Sequence, residues 1–236
     1  MIGSAEGSPR SLPLRNVRVD ALRLLVHLSA WLPLAWILWD YLNENLTVNP
    51  IQTVQQRLGR IALTLLLSSL ACTPLQVITG WRGALRVRRA LGVYAFLYAV
   101  AHFLVLVGID YQFNLELLRK DLAGKPYIWV GAGAFAVLAP LAATSFPWWM
   151  RRLGKNWKRL HRLVYLAAPL VVIHYAWAKK GSLTSLAGDI TLPLASGLLV
   201  VLLLAVRIPA VRRWIVGLRH GRTGRPGTLA TSDAGR

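Results

Sequence analysis

Three histidines on apolar segments are the residues of this chain most able to do chemistry. His161 closes a basic run, Leu153-Gly-Lys-Asn-Trp-Lys-Arg-Leu-His161-Arg-Leu-Val-Tyr165, that feeds into an apolar helix carrying His174. His102 is the only basic residue of a separate apolar stretch, Ala90 to Ile109. A histidine inside lipid is costly, because lipid offers its ring nitrogens no partner. Haem iron is the leading candidate to satisfy such rings, since imidazole is its commonest axial ligand.

These histidines need a membrane around them, and the composition provides for one. Hydrophobic residues make up 55% of the 236, charged residues 16%, and the mean hydropathy is +0.46. Such apolar segments are too long and too many for a soluble core. Ten tryptophans suit membrane interfaces, where the ring is buried and its N–H stays wet. Six spans are expected, at about 21–42, 59–79, 90–109, 127–146, 161–178 and 190–206. The predicted fold is therefore an all-α integral membrane protein, a bundle of six transmembrane helices. Residues 1–20 form a basic N-terminal segment, 21–206 the membrane domain, and 207–236 a basic tail that ends in disorder. The first 20 residues are polar and do not read as a signal peptide.

The formal charge is +19, from 28 Lys and Arg against 9 Asp and Glu. In a soluble protein that balance would point to nucleic acid. Here the bases sit between apolar runs, so membrane orientation explains them and no nucleic-acid partner is implied. Arg10, Arg15, Arg18 and Arg23 precede or open span one. Arg82, Arg86, Arg88 and Arg89 lie between spans two and three, and Arg151, Arg152, Lys155, Lys158 and Arg159 between four and five. Arg207, Arg212, Arg213, Arg219, Arg222 and Arg225 follow span six. Six spans put all four regions on one side, which the charge bias makes cytoplasmic. Asp40, Glu44, Asp110, Glu116, Asp121 and Asp189 lie on the other side. Both termini are expected in the cytoplasm. The basic loops attract anionic lipid; a sharper reading makes Arg82, Arg86, Arg88, Arg89, Lys155 and Lys158 a flavin-phosphate or quinone-proximal patch.

Height along the helices pairs two of the histidines. His102 stands about 18 Å above Ala90, and His174 about 20 Å above His161, at 1.5 Å per residue. Both reach the outer half of the bilayer, where two imidazoles on different helices can clamp a haem. His161 sits near the inner surface. An ideal helix would turn His161 and His174 about 140° apart, unless Pro169 kinks it. Spacing alone leaves packing glue and proton relay open beside haem ligation. His27 reads as packing in span one, and His220 as a solvated residue of the tail.

Other features carry less. Cys72 is the only cysteine, which excludes an internal disulfide and a cysteine metal cluster, and it reads as a small packing hydrophobe. Gly131-Ala-Gly133-Ala-Phe-Ala136 matches a dinucleotide fingerprint in letters, but it lies inside span four without a βαβ unit. Its small residues read as a close helix approach. The sequon Asn45-Leu-Thr47 is weak evidence of any modification.

Several segments together resemble the MsrQ (formerly YedZ) family of haem-binding membrane subunits. They are Val26-His27-Leu-Ser-Ala-Trp-Leu-Pro33-Leu, then Arg88-Arg-Ala-Leu-Gly92 with His102, then the Leu153–Tyr165 run with His174-Tyr-Ala-Trp177. The likeness covers roughly residues 15–207. That family is in turn similar to the transmembrane part of ferric reductases and NADPH oxidases, which hold two stacked haems. The resemblance implies that His102 and His174 match the outer pair and His161 an inner ligand. Arg88 falls where the other inner ligand would stand, so an inner haem is absent or weak, or is completed by a residue such as His27. It also implies haem b and FMN as cofactors. The implied function is electron transfer from the quinone pool, across a bacterial inner membrane, to a periplasmic molybdenum subunit, MsrP, that repairs methionine sulfoxide. The chain would be the electron-transfer subunit and not the site of sulfoxide chemistry. A stand-alone ferric or quinone reductase and a non-redox transporter with histidine relays are the rival readings.

Overall fold

The computed structural model describes residues 14–179 and 191–223, with side chains from residue 21 and as far as 218. Arg10, Asp189, the start of span six at Ile190 and the end of the tail lie outside these residues, as do the side chains of Arg15, Arg18, Arg219, His220 and Arg222. Every described element is helical. The ten α-helices are α1 (Leu14–Leu42), α2 (Pro50–Thr79), α3 (Gly83–Leu104), α4 (Leu115–Gly124), α5 (Pro126–Ala143), α6 (Pro147–Leu153), α7 (Lys155–Leu160), α8 (Val164–Ala178), α9 (Thr191–Ala205) and α10 (Pro209–Thr223). A π-helical segment, Val105–Asp110, extends α3, and a 3-10 turn, His161–Leu163, joins α7 to α8.

Five segments are long and apolar enough to cross a membrane: Ala21–Leu42, Pro50–Thr79, Gly83–Asp110, Pro126–Ala143 and Lys155–Ala178. The sixth expected span, at 190–206, falls on α9, which is long and apolar enough only together with α10, and the two meet at 79°. Helices suit this environment because they satisfy their own backbone groups where no water can. Trp31, Trp36 and Trp39 are all exposed on α1, as lipid-facing rings would be.

Several boundaries depart from the hydropathy pattern for local reasons. The helix of span two begins at Pro50, not near 59, because Asn49 caps it and proline fits a first helical position. The capping bond runs from the Gln52 N–H to Asn49 Oδ1 at 3.0 Å. Gln52, Gln55, Gln56 and Arg57 hide this turn from a hydropathy window. The basic connection before His161 is two short helices, broken where Gly154 takes a positive φ of 51°. The tail begins as helix α10. α4 was not expected at all; Asn114 Oδ1 caps it by accepting from the Leu117 N–H at 3.0 Å.

The chain divides into two compact units, one of residues 1–69 and 85–120, the other of 70–84 and 121–236. In the first, Ile37, Leu58 and Tyr98 form a buried cluster joining α1, α2 and α3, ringed by Val54, Ile61, Leu65 and Ala101. Tyr98 donates to the carbonyl of Ala30 at 2.6 Å, which ties α3 to α1. Asp40, buried at the end of α1, pairs with Arg57 of α2. In the second unit α5 packs along α8, and α8 along α9. Cys72 is buried, as a packing residue should be.

Removing one member of a buried ion pair strands the other charge. Arg57→Leu should therefore cost on the order of 3 kcal/mol, seen as a lower thermal midpoint in detergent. Adding Asp40→Asn to that variant should recover part of the loss. No recovery would mean that the pair's charges are not what matters.

Candidate functional site

His102 and His174 are held in the same way, one in each unit. On α3, the Nδ1 of His102 lies 2.9 Å from the backbone oxygen of Gln55 on α2. On α8, the Nδ1 of His174 lies 2.8 Å from the backbone oxygen of Tyr127 on α5. A carbonyl can only accept, so both rings must carry a proton on Nδ1. The protonation is assigned from this bonding pattern. In a neutral ring the lone pair then belongs to Nε2, the arrangement that orients a metal-ligating histidine.

The carbonyls are reachable for a reason visible in the chain. Within a helix, the carbonyl of residue i already accepts from the N–H of residue i+4. Its second lone pair points sideways, past the side chain at i+4. For Gln55 that residue is Gly59, and for Tyr127 it is Gly131. A Cβ on Gly59 would stand 3.2 Å from His102 Cε1 and Nδ1. A Cβ on Gly131 would stand 2.7 Å from His174 Nδ1. Each glycine clears the seat that its histidine ring occupies. Ser69 repeats the device on Arg88: its Oγ donates to the Arg88 carbonyl at 2.8 Å, and Gly92 lies four residues on. A Cβ there would come within 3.3 Å of Ser69 Oγ.

His161 is held differently. Its ring stacks on Trp157, with centroids 4.1 Å apart and planes at 31°. Its Nε2 lies 3.2 Å from Thr144 Oγ1. That hydroxyl gives its one proton to the Pro140 carbonyl at 2.6 Å, so His161 Nε2 is the donor toward it. Trp157 Nε1–H donates to the Thr144 carbonyl at 2.9 Å and closes the group. The tautomer is thus opposite to that of His102 and His174.

The expected 140° divergence of His161 and His174 does not appear in their contacts. Both rings turn to α5, His174 to its first turn and His161 to Thr144 just beyond its last residue. The 3-10 turn at His161–Leu163 breaks the ideal α register on which that angle rested. His27, exposed on α1, meets Tyr94 of α3, with Nδ1 2.8 Å from the hydroxyl and the rings edge to face. Among the described residues, no three His, Cys, Asp or Glu side chains gather as a metal cluster. A single imidazole at each seat suits a metal that brings its own equatorial ligands, as haem iron does.

Gln55, Gly59 and Tyr127 were not singled out from the sequence. Gly131 lay in the discarded glycine motif, and its spacing to His174's acceptor was the available signal. Gly133 of the same motif meets nothing within 4 Å.

Known proteins resemble this chain over most of its length. The model for the ferric reductase like transmembrane component matches residues 58–172. A Rhodospirillum rubrum protein-methionine-sulfoxide reductase heme-binding subunit MsrQ is 42% identical over 193 residues, covering 81% of this chain and 89% of that protein. The MsrQ of Bordetella pertussis is 37% identical over 198 residues, covering 84% and 94%. That of Xanthomonas axonopodis pv. citri is 39% identical, covering 80% and 86%.

The two glycines of the discarded motif separate the seat from ordinary helix propensity. Alanine in place of glycine favours a helix by about 1 kcal/mol. Gly133→Ala should leave the thermal midpoint unchanged or raise it. Gly131→Ala should lower it, because the new methyl meets His174. Equal midpoints for the two variants would remove the seat from the account.

Proposed function

The chain belongs to the MsrQ haem-binding membrane subunits, and on that premise we propose that it carries electrons from the quinone pool across a bacterial inner membrane to a periplasmic MsrP-type molybdenum subunit. That partner would then reduce methionine sulfoxide in envelope proteins. The observation that carries the reading is the doubled seat: two histidines, each with Nδ1 on a carbonyl opened by glycine. On this reading His102 and His174 would each offer Nε2 to the iron of b-type haem. Bound haem supplies one-electron chemistry that no side chain here offers.

The chain's own residues do the positioning. Gln55 and Tyr127 supply the acceptor carbonyls that hold each ring in its tautomer. Gly59 and Gly131 keep those seats open. His161 stands at the opposite end of the α5–α8 pair from His174, so we place it near electron entry, beside the basic helices α6 and α7. Arg88 cannot ligate iron, because guanidinium has no lone pair to give; its fork suits a propionate or a flavin phosphate. FMN and quinone enter the proposal through that basic side. Both termini are placed in the cytoplasm on the charge bias.

The family model's match to a ferric reductase component favours one second reading, a stand-alone metal or quinone reductase. Co-purification with a molybdenum subunit separates the two.

His102→Ala and His174→Ala should each remove, or reduce several-fold, the Soret absorbance per protein. His161→Ala should keep that absorbance and slow reduction by quinol or by a flavin reductase. Wild-type haem content in both His102→Ala and His174→Ala would defeat the ligand assignment. Loss of haem with an unchanged reduction rate in His161→Ala would move that residue from entry to ligation.

A further inference from the structure

The elbow between α9 and α10 concentrates cations that the haem reading does not use. Arg207, Arg212 and Arg213 line an open cavity of about 390 Å³ together with Pro209 and Val216. Among the described residues, no acidic side chain lines it. The bend of 79° turns α10 away from the line of α9, and α10 starts at the cavity on Pro209.

Arg207 is a fixed charge, for a reason that lies elsewhere in its unit. Pro74 lacks an N–H, so the carbonyl of Leu70 loses its helical donor four residues on. Arg207 Nη2 donates to that carbonyl at 2.7 Å. Its Nη1 donates to the Tyr165 hydroxyl at 2.9 Å, and the guanidinium lies 5.0 Å over the Tyr165 ring. Its Nε is buried with no hydrogen-bond partner among the described residues. A cation clamped in this way loses little freedom when an anion arrives. Arg212 and Arg213 are exposed near the start of α10, where the N-terminal end of a 15-residue helix adds partial positive charge.

We infer that this elbow is a binding site for a phosphate group, with Arg207 as the fixed cation and Arg212 and Arg213 closing on the anion. Arginine forks match phosphate oxygens in pairs, and an exposed fork on each of two adjacent residues can meet a monoester or a diester. The phosphate can come from a phospholipid headgroup or from a soluble ligand such as a flavin nucleotide. The site shares no residue with the histidine seats, and it does not depend on the haem assignment.

The test uses the full chain, purified in neutral detergent and stripped of lipid. Short-chain phosphatidylglycerol, read by native mass spectrometry, probes the lipid source. Flavin mononucleotide against riboflavin, read by flavin fluorescence, probes the soluble source. Arg212→Gln/Arg213→Gln should weaken the phosphate probe that binds by at least about tenfold, the scale of a lost charge-assisted hydrogen bond. Arg119→Gln/Lys120→Gln removes the same charge on α4 and should leave binding within about twofold. Soret absorbance should be unchanged in both. Tight binding of the lipid alone names a headgroup site, and of the flavin nucleotide but not riboflavin a soluble phosphate site. Binding of neither probe, or equal loss in the two double variants, would overturn the inference.

Discussion

A polar atom in lipid must find its partner inside the protein, and that constraint organises this chain. Main-chain groups meet it by forming helices. Ring nitrogens and hydroxyls cannot, and helices offer them only carbonyls that are already in use. The chain answers with a repeated local device. A glycine four residues after a carbonyl exposes its second lone pair, and a side chain on a neighbouring helix donates to it. His102 on Gln55, His174 on Tyr127 and Ser69 on Arg88 all use it. For serine the device is packing. For histidine it also decides which nitrogen keeps its lone pair, and so couples membrane stability to ligand chemistry.

Proline poses the same problem in reverse. Pro74 leaves the Leu70 carbonyl without its helical donor, and Arg207 fills the gap. The arginine that follows the last apolar helix is therefore part of the packing as well as of the basic face. Asp40 and Arg57 show a third solution, in which two charges satisfy one another at the ends of α1 and α2. Each case exchanges an unmet group for a specific contact between elements distant in sequence.

Much of the architecture was legible because long apolar runs have few other uses. The histidines stood out for the same reason: a basic ring in such a run has to be explained. Boundaries were less legible. Hydropathy missed the first turns of α2, since Gln52, Gln55 and Arg57 read as loop, although Asn49-Pro50 is a helix start in itself. The run before His161 looked like a loop because charge masked two short helices around Gly154. The seats of His102 and His174 were out of reach, because a carbonyl partner has no letter in the sequence. Gly131 was noticed only as a small residue, and the Thr144–Trp157 group around His161 depends on a 3-10 turn that no periodicity announces.

The relation to MsrQ subunits and the two matched seats give a coherent role, that of a membrane protein whose chemistry is borrowed and whose own work is to hold rings in fixed tautomers. Its central claim is that imidazole Nε2 atoms from His102 and His174 bind haem iron. Low-temperature EPR of the oxidised full chain in lipid nanodiscs tests it most directly. The account predicts a low-spin ferric signal of the kind given by nitrogen ligation on both faces, turning high-spin in whatever haem His102→Ala or His174→Ala retains. A predominantly high-spin signal from the unmodified chain would contradict it.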